Sequence, residues 1–235
     1  MTSTPARPSP STFQDGLRAT LPLVPGVVAF GLVYGVMARQ AGLSLSATVA
    51  MSALVFAGAS QFTAVSMWGQ ASGGLIILTT FIINLRHLPM GASLAPYLRR
   101  ESRWCKAILG FGTVDEGYAL AISRYLAGDG SRAFFFGVSL VLYASWVLSA
   151  GAGGMLGGQT LDPARWGIAL VFPLTFLGLL MPLCRERVTI IVAAASGIVA
   201  VATAPWLPGK GNILVAMLVG GLLGALLEAR WATTE

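Results

Sequence analysis

Charge is what this 235-residue chain has least of. Only 10% of its residues are Asp, Glu, Lys or Arg, while 55% are hydrophobic and the mean hydropathy is +0.76. Soluble domains carry about 25% charged residues, so this balance excludes an ordinary water-soluble fold and points to a polytopic membrane protein. Cysteine is nearly absent: Cys105 and Cys184 lie far apart, each beside basic residues, with neither metal-ligand spacing nor a disulfide framework. His87 is the only histidine and has no second ligand near it in sequence, so no metal site is expected. Walker A and GxGxxG patterns are missing, which argues against an ATPase or a nucleotide cofactor. Alternation of period two is missing as well, which excludes a β-barrel.

The net charge of +6 would suggest nucleic acid in a soluble protein. Here the basic residues flank apolar segments, where they signal topology, and nucleic acid is not an expected partner.

Eight apolar segments can be drawn, at about 20–38, 46–68, 73–98, 107–126, 133–157, 165–184, 188–207 and 211–229. Their lengths suit helices and their connections are short, so the expected fold is all-α with six to eight transmembrane helices in one domain, 20–235. Residues 1–19, rich in Pro, Ser and Thr, are expected to form a mobile tail. Arg18 precedes the first run as it would in a leader peptide, but the run is full length and reads as an uncleaved span. Small residues recur at helix-packing spacing in Gly31/Gly35, Gly153/Gly157, Gly154/Gly158 and Gly220/Gly224.

If all eight segments cross, Lys and Arg divide seven against seven between the two sides. Positive-inside bias disfavours a tie. Turning the 107–126 segment back without crossing gives ten against four, with the N-terminus outside. Turning 46–68 back too gives eleven against three, with both termini cytoplasmic. Both segments are interrupted by small and polar residues, Phe56-Ala57-Gly58-Ala59-Ser60-Gln61 in one and Phe111-Gly112-Thr113-Val114-Asp115-Glu116-Gly117 in the other. Broken or re-entrant helices of this kind build the binding sites of many secondary transporters.

Arg86 and His87 lie in the middle of the apolar run 74–98. A guanidinium at the hydrocarbon midplane costs roughly 2.5–3.5 kcal/mol on insertion scales, so it must face protein or water and have a partner. Asp115 and Glu116 are the only acids well inside an apolar segment, which makes an Arg86–carboxylate pair the economical expectation. Read as one helix, 73–98 places Thr80, Asn84, His87 and Gly91 on one face. Ser60 and Gln61 offer polar groups where the chain can unwind and expose backbone N–H groups to a carboxylate. Glu116 and His87 are candidates for a proton relay. Trp68, Trp104, Trp166, Trp206 and Trp231 lie near segment ends like an interfacial belt, whereas Trp146 lies deep. The run Arg99 to Lys106 reads as a surface loop attracted to anionic headgroups.

The stretches FAGASQF (56–62), NLRHLPMGASLAP (84–96) and VDEGYALA (114–121), in this order, resemble the AzlC-type branched-chain amino acid permeases. GVVAFGLVYGVMARQAGLS (26–44) is similar to that family's first helix. The likeness runs from about residue 16 to 229; NLRH followed by DE is its most specific part, and beyond 130 the match is mainly in hydropathy. One departure is Tyr118 after Asp-Glu-Gly, where family members often carry Phe after Ser or Thr.

The resemblance implies a transporter, not an enzyme, that exports valine, leucine and isoleucine across the bacterial inner membrane with a small AzlD-type membrane subunit and no cofactor. A zwitterionic amino acid needs a cation or helix N-terminus for its carboxylate, an anion for its ammonium and an apolar pocket. Arg86, Asn84, Ser60, Gln61 and Asp115 are the candidates for binding it. Two rival readings are a membrane-embedded hydrolase using Ser60 with His87 and a passive channel subunit.

Overall fold

The computed structural model describes residues 9–157, 187–207 and 211–232, with isolated positions at 177 and 184. Most of the apolar segment 165–184, with Trp166, and also Gly158 lie outside the described residues. Those described are mostly helical, with no strand among them. The chain is an all-α polytopic membrane protein.

Helix α1 (Phe13–Thr20) passes through a 3-10 turn, Leu21–Leu23, into α2 (Val24–Gln40). Together they form a 28-residue apolar rod, long enough to cross a bilayer. The rod starts earlier than the sequence suggested. Thr12 Oγ1 accepts from the Asp15 N–H at 3.2 Å, and Asp15 Oδ2 accepts from the Thr12 N–H at 2.8 Å, closing a capping box. Residues 13–19, expected as the end of a tail, are therefore helical. Ser11 further ties the chain down by donating its N–H to the Asp129 carbonyl at 2.7 Å.

The next helices are α3 (Leu45–Val55), α4 (Gly58–Met67), α5 (Gly73–Asn84), α6 (His87–Leu94), α7 (Arg103–Phe111), α8 (Asp115–Ala127) and α9 (Arg132–Gly157). Two more follow, α10 (Arg187–Thr203) and α11 (Gly211–Ala232). Besides 13–40, the runs 73–94 and 132–157 are long and apolar enough to span. Where short connections had suggested one domain, contacts fall into two compact units, Met1–Phe62 with Ile82–Thr160 and Thr63–Phe81 with Leu161–Glu235.

The first unit is organised on α9, which α1, α2, α3, α7 and α8 all touch. Its seam with α2 is made of the small residues read from the sequence. A Cβ on Gly35 would strike the Ala150 carbonyl, one on Gly153 the Leu32 carbonyl, and one on Gly157 would sit 2.8 Å from Val36 Cα. Without a hydrophobic drive between helices in lipid, such backbone proximity supplies the packing that holds them. In the second unit Gly220 likewise faces Ser196, joining α11 to α10, and Asn212 Nδ2 donates to the Ala200 carbonyl at 2.9 Å.

Both interrupted segments are broken as expected. Phe56 adopts a left-handed conformation (φ +43°) between α3 and α4, and Gly112-Thr113-Val114 separates α7 from α8. A third break corrects the reading of 73–98 as one continuous helix. At Leu85–Arg86 the chain tightens, with Leu85 N–H bonding the Ile82 carbonyl at 3.2 Å and Leu88 N–H bonding the Leu85 carbonyl at 3.0 Å. The cause is Pro89, which has no N–H for the Leu85 carbonyl and whose ring crowds it. The run 73–94 therefore passes through a tightened turn at Leu85–Arg86 and is not one regular α-helix.

Candidate functional site

One face of α9 braces two of the breaks. Ser139, Tyr143 and Trp146 follow each other at i, i+4 and i+7 and so share that face. Ser139 Oγ donates to the Gly112 carbonyl at 3.3 Å, and Tyr143 Oη donates to the Ala53 carbonyl at 3.0 Å. The Tyr143 ring packs between Phe56 (centroids 5.1 Å) and Phe111 (5.8 Å), so the aromatics that flank the breaks meet on it. Trp146 Nε1 donates to Gln61 Oε1 at 3.0 Å, and its ring closes over Gly58.

The α3–α4 break is closed on itself. Gln61 is fully buried; its Oε1 also accepts from the Ala57 N–H at 3.3 Å, and its Nε2 donates to Ser52 Oγ at 3.2 Å. Ser60 is 1% exposed and donates to the Ala57 carbonyl at 3.0 Å. These two residues, expected to contact substrate, are occupied in holding the break together. Ser60 and His87 share no hydrogen bond among the described residues, so the geometry of a serine–histidine dyad is not formed.

The other two breaks are joined by charge. Arg86 Nη1 lies 2.6 Å from Asp115 Oδ2, with side-chain exposures of 34% and 46%. Arg86 is the residue preceding α6, and Asp115 is the first residue of α8, with Glu116 beside it in the first turn. From this ion pair α6 and α8 run side by side in the same direction. Ser93 Oγ and Tyr118 Oη are 2.9 Å apart, Leu94 and Ala121 share a buried cluster with Leu109 and Phe135, and the Tyr97 and Tyr125 rings stack at 4.9 Å. Two helix N-termini thus open at one charged point, where their dipoles favour negative groups such as Asp115 and Glu116.

The site retains unused hydrogen-bonding capacity. Arg86 Nε and Asn84 Oδ1 are buried and have no partner among the described residues. His87 Nδ1 lies 3.0 Å from the Asn84 carbonyl, which leaves Nε2 outside that contact. The structure therefore brings Asn84, Arg86, His87, Asp115 and Glu116 to the paired ends of α6 and α8, with Ser60 and Gln61 assigned to the α9-braced break. Sequence reasoning missed Ser93 and Tyr143, whose only signal was a polar atom in an apolar run, and noted Tyr118 only as a departure from the family pattern. It also missed Pro89, whose signal was plain.

The helical architecture and the apolar spans define an integral membrane protein, with a charged pair at a helix interruption. Family comparison agrees: the AzlC protein family matches residues 22–160, and the chain belongs to that family. It is 28% identical to the inner membrane protein YgaZ of Escherichia coli, over 95% of this chain and 94% of that one. It is 33% identical to a membrane protein of Archaeoglobus fulgidus, over 90% of this chain and 93% of the relative. It is also 28% identical to the branched-chain amino acid transport protein AzlC of Bacillus subtilis, over 63% of this chain and 58% of that protein. No solved structure matches.

Proposed function

We propose that this protein is a secondary transporter that exports branched-chain amino acids across the bacterial inner membrane, working with a small AzlD-type membrane subunit. The likeness to the Bacillus subtilis branched-chain amino acid transport protein supports the substrate class. The observation that carries the mechanism is the Arg86–Asp115 pair at the mouth of two parallel half-helices.

An amino acid is itself an ion pair, so it can exchange with one. Its carboxylate takes Arg86 and the free Nε donor, while its ammonium takes Asp115 and the vacant Asn84 Oδ1 acceptor. Each protein charge changes partner without being left bare, which matters because an unpaired charge in this setting is costly. The α8 N-terminus adds its positive end to carboxylate binding. Glu116 and His87 stand close enough in sequence to this exchange to carry a coupling proton.

The test is counterflow and efflux of labelled leucine from proteoliposomes holding the chain with its small partner. Arg86→Gln and Asp115→Asn should each abolish efflux with assembly intact, and the neutral double variant should remain inactive. Restored efflux in the double variant would mean that the pair only holds the helices, which overturns the exchange mechanism. Proton coupling is tested separately: Glu116→Gln should uncouple efflux from an imposed proton gradient, and efflux indifferent to that gradient removes the relay. Saturation and counterflow separate a carrier from a passive pore.

A further inference from the structure

Helix α7 and the turn before it present a surface that neither the ion-pair site nor the packing of the bundle uses. α7 has nine residues, about 13.5 Å at helical rise, far short of the roughly 30 Å hydrocarbon core. It is nonetheless strongly two-sided. Leu109 is fully buried in the cluster with Leu94, Ala121 and Phe135, and Cys105 packs at its edge. Trp104 and Ile108, at i and i+4, form an outward apolar stripe and are 81% and 54% exposed, whereas Phe111 at i+7 turns its ring onto Phe56 and Tyr143. At the N-terminal end of that stripe stand Arg99, Arg100, Arg103 and Lys106, all exposed.

Three features make this patch a receiver for negative charge. None of its four cations is ion-paired among the described residues; Lys106 only donates to the Arg99 carbonyl at 3.0 Å. The one acid in the run, Glu101, is drawn aside by Arg132 at 2.8 Å and does not neutralise them. Arg103 and Lys106 also occupy the first turn of α7, where the helix dipole opposes cations and no acid compensates. A cationic rim above an exposed tryptophan and aliphatic stripe matches a membrane interface, with charge at headgroup level and the indole just beneath it.

We propose that α7 lies in the plane of the membrane and docks on anionic phospholipid headgroups through Arg99, Arg100, Arg103 and Lys106, with Trp104 and Ile108 entering the acyl boundary. The partner is the phosphodiester of an anionic lipid in a bilayer. The assignment stands on charge and exposure and does not depend on what the protein transports.

The full chain is reconstituted in phosphatidylcholine bilayers in which either a minority of brominated phosphatidylglycerol or the same amount of brominated phosphatidylcholine quenches tryptophan. The Trp104 signal is isolated by subtracting a Trp104→Phe variant. Phosphatidylglycerol should be enriched about tenfold at Trp104, and high salt should reduce that enrichment. The variant with all four cations changed to Gln should lose the preference, whereas Arg99→Lys, Arg100→Lys and Arg103→Lys together should keep it. Equal quenching by the two lipids overturns the proposal. So does no quenching of Trp104 by either lipid, or a preference that survives the Gln variant.

Discussion

At the break between α3 and α4, each polar side chain that enters the interruption finds its partner within the chain. Gln61 alone engages Ala57, Ser52 and Trp146, and Ser60 caps the Ala57 carbonyl. At the breaks before α6 and α8 the balance is different: one ion pair is made, while a guanidinium N–H and an amide oxygen are buried without partners among the described residues. A fully satisfied polar network rigidifies what it holds, and a partly satisfied one keeps a cost that a ligand can relieve. On the proposed function, the same chemical device, an interrupted helix, serves once as a fastening and once as a receptor.

Breaking the receptor should have the largest functional effect. Arg86→Gln removes a charge-assisted contact of about 3 kcal/mol, so leucine efflux should fall about 100-fold or more, a far larger effect than the modest fall in thermal midpoint from leaving the half-exposed Asp115 without its partner. Breaking the fastening should show the reverse pattern. Gln61→Leu leaves the Trp146 and Ala57 N–H groups buried without acceptors, so stability should drop by about 2–4 kcal/mol in a detergent unfolding assay, with efflux per folded molecule preserved. If Gln61→Leu removed transport without destabilising, the comparison would be wrong.

Pro89→Ala sharpens the contrast from another side. Restoring an N–H to the Leu85 carbonyl should straighten α5 into α6 and carry Arg86 away from Asp115. Efflux should fall about tenfold while helix stability is held or improved, and spin-label distances across residues 80–93 should report the straightening. The smallest effect is expected from Tyr118→Phe. It loses the hydrogen bond to Ser93, worth about 1 kcal/mol, and should be visible as a slight fall in the thermal midpoint.

Much of the architecture could be read from the chain because lipid imposes simple rules. Long apolar runs, small residues at helix-packing spacing and scarce buried charges each have one cheap solution, which is why the Arg86–Asp115 pairing and two of the breaks were legible. What escaped depended on three-dimensional neighbours. Gln61 looks like a ligand in sequence because its amide sits beside glycine; only the indole of Trp146, 85 residues later, makes it a brace. Ser139 and Tyr143 look like ordinary residues of an apolar span until their register with the breaks is known. The early start of α1 was encoded in Thr12 and Asp15, a short-range signal hidden by proline-rich surroundings. The break at Leu85–Arg86 was encoded as locally, in Pro89 four residues after Leu85.

The arrangement of α9 has a consequence for motion. It closes against α2 with backbone touching backbone at Gly35 and Gly153, and from the same rod it supports both the Gln61 network and the Gly112 loop. Rotating or sliding it would disturb every one of those seams together, so within its unit it serves as the stator.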